Sequence, residues 1–164
     1  MRFELFFGEE MFVDTNIFVY ALARRHRHKR KCNDLLVQIN HGDIAGFTSS
    51  TAINELFHAI LVGDVRRRYQ LKKEEVIGFI KNNPHVISET KVAYEALDDV
   101  FNSNVVILSV NFEVLKKARD LSEKYNLLLS DAIYAATCMI YAISDMATND
   151  ADFDRVDFIR VWKP

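Results

Sequence analysis

Met11-Phe12-Val13-Asp14-Thr15-Asn16-Ile17-Phe18-Val19-Tyr20 is the stretch whose reading decides the fold. An apolar run breaks on one carboxylate, passes two small polar residues and resumes as an apolar pattern. That order predicts a buried strand ending at Asp14 and a turn through Thr15 and Asn16 into a helix. An aspartate in this place serves either as a cap for the helix it precedes or as a functional acid at the end of a strand.

The setting around this stretch excludes several classes. With 164 residues, 49% hydrophobic and 12% aromatic, the chain can bury one sizeable core, predicting a domain over 11–164 behind an N-terminal extension over 1–10. The extension carries Phe3 and Leu5-Phe6-Phe7, suited to pairing at a sheet edge or packing on a neighbour. Net charge is -2, so contact with nucleic acid has to come from a local patch. Cys32 and Cys138 lie far apart, which predicts reduced thiols and a cytoplasmic setting. No apolar run reaches the roughly 20 residues of a membrane span, and the start lacks the pattern of a signal peptide.

Past Tyr20, Arg24-Arg25-His26-Arg27-His28-Lys29-Arg30-Lys31 is a run of cationic or protonatable residues. It reads either as a solvated loop or as a phosphate-contacting patch, with Arg24, Arg25, Arg27, Lys29 and Arg30 as the contacts. His26 and His28 have no third nitrogen or sulfur ligand nearby, so zinc is not expected. A helical stripe at Leu35, Leu36 and Ile39 ends at His41-Gly42-Asp43, and a short strand follows over 44–47. Thr48-Ser49-Ser50-Thr51 opens an amphipathic helix with Ile53, Leu56, Phe57, Ile60 and Leu61 on one face. Glu55 lies off that stripe beside Ala52 and Ala59, where it points either to water or into a cleft. Arg66-Arg67-Arg68 is a second basic cluster. Further helices are expected from about Lys72 to Asn82, over 88–101 and over 111–125, with a fully buried strand over 105–108.

Ser130 to Ala142 reads as a helix apolar or small on every side. Its single charge, Asp131, sits in the first turn, where the helix dipole favours an anion and where capping also accounts for it. A strand over 143–148 leads into Thr148-Asn149-Asp150-Ala151-Asp152-Phe153-Asp154, and a last strand covers 158–162. Alternating strands and helices without hairpin signals predict a parallel sheet covered on both faces. Asp14 and the Asp150 region then share the carboxyl edge of the sheet, and Glu55 and Asp131 can reach it. Four like charges converge only with a counter-charge, and oxygen-only ligands select Mg²⁺ or Mn²⁺.

Taken in order, Val13-Asp14-Thr15-Asn16, Asn54-Glu55-Leu56, Leu129-Ser130-Asp131-Ala132 and Thr148-Asn149-Asp150-Ala151-Asp152-Phe153 resemble the PIN-domain family, and within it the VapC-type toxin ribonucleases. The resemblance spans 11–164. It implies a three-layer α/β/α fold with a five-stranded parallel sheet and an acidic Mg²⁺ pocket. Asp14, Glu55, Asp131 and Asp150 fall on the acidic positions, with Asp152 a fifth, and Thr15, Asn16 and Thr148 on small polar positions beside them. The implied activity is hydrolysis of RNA phosphodiesters, with Arg66, Arg67 and Arg68 joining the first basic run in holding phosphates. Family members often form homodimers, and the toxins pair with a small antitoxin. The haloacid-dehalogenase pattern fits less well, because Asn16 stands where its second aspartate belongs, and a receiver domain's adjacent acids and late lysine are missing. The alternative from another class is a PIN-like module that binds RNA or protein without cutting.

Overall fold

In the computed structural model, which describes residues 1–3, 6, 8–23 and 25–164, the sheet is laid out by its short apolar strands. They are β1 (Glu10–Val13), β2 (Ala45–Ser49), β3 (Val106–Leu108), β4 (Asp145–Ala147) and β5 (Arg160–Trp162), in the order β3-β2-β1-β4-β5. All four pairings are parallel. β1 is the centre, and the chain winds outward from it in two opposite directions. The point where the order reverses, between β1 and β4, is where open parallel sheets leave a crevice beyond their carboxyl ends.

Alternation along each strand divides the core. Phe12 and Met146 face one side, where α7 (Phe112–Tyr125) and α8 (Leu129–Ile140) cover them with Val114, Leu121, Tyr134 and Cys138. Met11, Val13 and Ala147 face the other, against α1 (Thr15–Leu22), α2 (Lys29–His41) and α3 (Ser50–Arg68). This is the expected three-layer α/β/α sandwich. A smaller apolar cluster joins the far half of α3 to α4 (Val76–Asn82), α5 (His85–Glu89) and α6 (Lys91–Phe101).

Helix ends follow local chemistry. Asp14 caps α1 and Ser49 caps α3, each accepting a backbone N–H, and Asn111 does the same for α7. α2 closes on Gly42 at φ 82°, a left-handed position that glycine takes without a Cβ penalty. At Gly46 a Cβ would come within 2.6 Å of the Ile39 side chain, so the missing side chain lets α2 lie close on β2.

Three expectations are corrected. The strand at 106–108 is not fully buried: Val106 is 51% exposed, because β3 is the sheet's edge. The helix expected over 88–101 is two helices, broken at Thr90, whose buried hydroxyl donates to the Val86 carbonyl and accepts from Arg68. The segment from Lys72 begins with a 3-10 turn at Lys73–Glu75 before α4. Among the described residues of the N-terminal stretch, Arg2 bridges to Lys163 in parallel, the terminal amine donates to the Val161 carbonyl, and Phe6 packs edge-on against Trp162 at 5.0 Å. They extend the β5 edge; Leu5 and Phe7 lie outside the described residues. Cys32 and Cys138 are free and buried, and burial pushes the Cys32 thiol up to about 12. No helix among the described residues is long and apolar enough to cross a membrane.

β4 and β5 are also joined by charge. Asp145 is buried and accepts from the Arg160 guanidinium and from Trp162 Nε1 at 2.7 Å. Burial works against its charge, yet the Arg160 and Trp162 hydrogen bonds hold its carboxyl below the usual range. Asp145→Ala strands the indole N–H in the core and is expected to cost about 2 kcal/mol. By thermal melt that is a fall in Tm of roughly 4–8 °C; an unchanged Tm would mean the network contributes nothing.

Candidate active site

At the β1–β4 switch point the two strand ends are stapled together by side chains. The Asp14 N–H donates to the Ala147 carbonyl at 3.1 Å, which places the Asp14 carboxylate beside Thr148. The Thr148 hydroxyl donates to Asp14 Oδ2, and so does the Asn16 side-chain amide. Asn16 Nδ2 also donates to Thr148 Oγ1 at 3.0 Å, and Asn16 Oδ1 accepts the Asn149 N–H at 3.2 Å. Thr148 Oγ1 in turn accepts the Asp150 N–H at 2.9 Å. The turn residues after each strand thus lock Asp14 in place and fix the start of the loop that carries Asp150.

Three more acids stand close enough to act on one another. Burial raises Asp14 from 3.8 to about 7; hydrogen bonds from Thr148 and Asn16 oppose the rise, and the charges of Asp150 and Glu55 add to it. Asp131, in the first turn of α8, is raised to about 6 by burial and then by Asp150, Asp152 and Glu55, with Arg155 opposing. Each of the four expected acids therefore lies within electrostatic reach of others at the carboxyl edge of the sheet. Such clustered, up-shifted carboxylates mark functional sites more often than structural ones.

Their present partners differ. Glu55 Oε2 accepts the Tyr134 hydroxyl at 2.5 Å, and Thr15 Oγ1 lies 2.8 Å from that hydroxyl and 3.5 Å from Glu55. Asp152 is paired with Arg155 at 2.8 Å, and its N–H donates to Asp150 Oδ1. Among the described residues no group of three or more His, Cys, Asp or Glu side chains is arranged, as it stands, to hold a metal ion. The donor chemistry nonetheless fits a hard divalent cation: the donors are all oxygen and mutually repelling, and Mg²⁺ is ordinarily held by one or two carboxylates and several waters.

The basic residues sort differently. Arg25 and Arg27 lie in the connection between α1 and α2, and Lys29 and Arg30 open α2; Arg24 lies outside the described residues. Arg66, Arg67 and Arg68 occupy the last turn of α3, and Arg66 is about 17 Å along the helix axis from Glu55. Arg67 and Arg68 are both paired with the buried Asp64, and Arg68 also reaches Glu89 and Thr90. That network ties α3 to the α5–α6 junction. Tyr134 was not foreseen as a site residue, since an apolar helix gives a lone tyrosine no distinction. Its one signal is a position three residues after Asp131, on the same helix face.

A family model described as PIN domain matches residues 11–159. The chain belongs to the PIN-domain family. Ribonuclease VapC6 of Methanocaldococcus jannaschii is 40% identical over 116 residues, covering 70% of this chain and 71% of the relative. Ribonuclease VapC2 of the same organism is 32% identical over 155 residues, covering 93% and 92%. Among solved structures, Mycobacterium tuberculosis VapC20, a Sarcin-Ricin loop cleaving toxin, superposes with TM-score 0.64 at 15% identity, over 91% of this chain and 96% of that one. At that identity the likeness speaks for the fold alone.

The raised acids carry a stability signature. Between 3.8 and about 7 folded Asp14 holds a proton that the unfolded chain has released, so its contribution to stability falls as pH rises through that window. Asp14→Asn removes the penalty. The metal-free variant is expected to melt above the unchanged protein at about pH 8, with the gap shrinking toward about pH 5. A gap that is constant or grows on acidification would contradict the assigned shift.

Proposed function

We propose that this protein is a metal-dependent ribonuclease that hydrolyses RNA phosphodiester bonds at the carboxylate pocket, as the toxin of a VapBC-type pair. The observation that carries the reading is the meeting of Asp14, Glu55, Asp131 and Asp150 at the β1–β4 switch point, where two of them are held above the usual carboxylate range. A module that only binds has no physical reason to hold so much like charge in one half-buried place. The ribonuclease names of the two archaeal relatives support the same chemistry.

Asp14, Asp131 and Asp150 are the residues suited to hold Mg²⁺ or Mn²⁺. When bound, the cation supplies charge neutralisation at the scissile phosphate and a lower pKa for an attacking water. Thr148 and Asn16 fix the Asp14 carboxylate; Glu55, oriented by Tyr134 and Thr15, is placed to accept a proton from that water or to join the metal shell. Asp152, held by Arg155, acts on the pocket through its charge. Arg25, Arg27, Lys29 and Arg30 neutralise substrate phosphates, giving affinity without sequence choice. Arg66, Arg67 and Arg68 contribute a more distant field. The proposal includes a small antitoxin protein as partner, a homodimeric assembly, and a cytoplasmic setting consistent with two free buried thiols.

The test incubates purified, antitoxin-free protein with mixed structured and single-stranded RNA in Mg²⁺, Mn²⁺ or EDTA. Cleavage is expected with metal only, and Asp14→Asn is expected to lower it by roughly 100-fold or more. Tyr134→Phe, which frees Glu55 while leaving every carboxylate, is expected to lower kcat by roughly 10-fold with little change in KM. Metal-loaded protein that cuts no RNA, yet binds it, would overturn the nuclease reading in favour of a binding module.

A further inference from the structure

The basic run after α1 does not spread its side chains uniformly into water. His26 stacks on Tyr20 of α1 with ring centroids 3.9 Å apart and planes 15° from parallel. His28 stands 5.4 Å from His26 and 5.8 Å from Tyr20. The arrangement is held from within: the His28 N–H donates to His26 Nδ1 at 3.3 Å, and Arg27 Nε donates to His28 Nε2 at 2.8 Å. Both contacts use an imidazole nitrogen as acceptor. All three residues are partly exposed and lie amid Arg25, Arg27, Lys29 and Arg30.

Two further observations connect the cluster to a substrate path. The Tyr20 hydroxyl accepts from Asn149 Nδ2 at 3.4 Å, and Asn149 lies between Thr148 and Asp150 in the pocket's own loop. A surface hollow of about 400 Å³ is lined by His26, Arg27, Lys29, Arg30, Asn33 and Asp34. Aromatic faces interleaved with cations are what an unpaired nucleotide needs: the base stacks, and its phosphate meets the charge.

We propose that Tyr20, His26 and His28 form a stacking platform for an unpaired base of single-stranded RNA next to the carboxylate pocket. This rests on the ribonuclease reading and adds to it the residues that receive an unpaired base. A duplex keeps its bases stacked on one another and cannot use the platform, so unpaired segments bind better. Every base has a π-face, so the preference is for strandedness rather than sequence.

The test measures binding of a fluorescein-labelled single-stranded RNA, the same strand with an abasic position, and a blunt RNA duplex. It is done in EDTA to block cleavage and repeated across a salt series. The variants are His26→Ala/His28→Ala and His26→Phe/His28→Phe, with thermal melts to establish folding. The alanine pair is expected to weaken single-strand binding about 10-fold, with the slope of log K against log salt unchanged and duplex binding unaltered. The phenylalanine pair is expected to restore it. Unchanged affinity in the alanine pair overturns the platform. So does a loss that flattens the salt slope and is not rescued by phenylalanine, which would make the segment a cationic contact only. Cleavage of the same strand in Mg²⁺ separates the two readings. Cleavage with the alanine pair's KM unchanged sinks the platform and leaves the nuclease, whereas ring-dependent binding without cleavage sinks the nuclease alone.

Discussion

The burial of mutually repelling carboxylates at one point of the sheet is the constraint on which the candidate site depends. Strand order places the ends of β1 and β4 side by side, and the Asp14 N–H bonded to the Ala147 carbonyl joins them. Thr148 and Asn16 offset part of the charge on Asp14, Tyr134 and Thr15 hold Glu55, and Arg155 neutralises Asp152. What remains is a pocket in which burial, and then the neighbouring carboxylates, raise Asp14 and Asp131 above the usual carboxylate range. Stability surrendered there is recovered in the two layers of apolar packing on either face of the sheet and in the Asp145–Arg160–Trp162 link across β4 and β5.

The same geometry explains why the hydroxyl and amide residues matter. A carboxylate left free to rotate would move away from its neighbours; one that accepts a hydrogen bond from Thr148 past the adjacent strand end and another from Asn16 of its own turn stays where a ligand needs it. Thr148 does this while also receiving the Asp150 N–H, so one hydroxyl couples the positions of two acids. Tyr20 and Asn149 continue the chain of contacts outward to the histidine cluster, linking the basic corner to the loop that carries Asp150.

Much of this was legible in the sequence where the signal is local. The break at Asp14 after Met11-Phe12-Val13, the cap residues before α3, the lone charge opening α8 and the acids after β4 each announce themselves within a few residues, and the alternation of elements gives the parallel sheet. What was hidden depends on tertiary placement. Val106 looked buried because β-branched runs usually are, and only the strand order reveals an edge. Thr90 breaks a helix through its bonds to Val86 and to Arg68, a residue distant in the chain. Arg67 and Arg68 read as free cations until Asp64 is seen beneath them. Tyr134 and the histidine stack became visible only once their neighbours were in place.

The central claim, that these acids form a divalent-cation site, is tested most directly by titrating the protein with Mn²⁺ in a calorimeter at about pH 6.5 in buffers of different ionisation enthalpy. Protons held by Asp14 and Asp131 must leave when a cation binds. The account predicts saturable binding with net proton release, and loss of both in Asp14→Asn. Absence of binding, or binding whose proton release is the same in the variant, would contradict it.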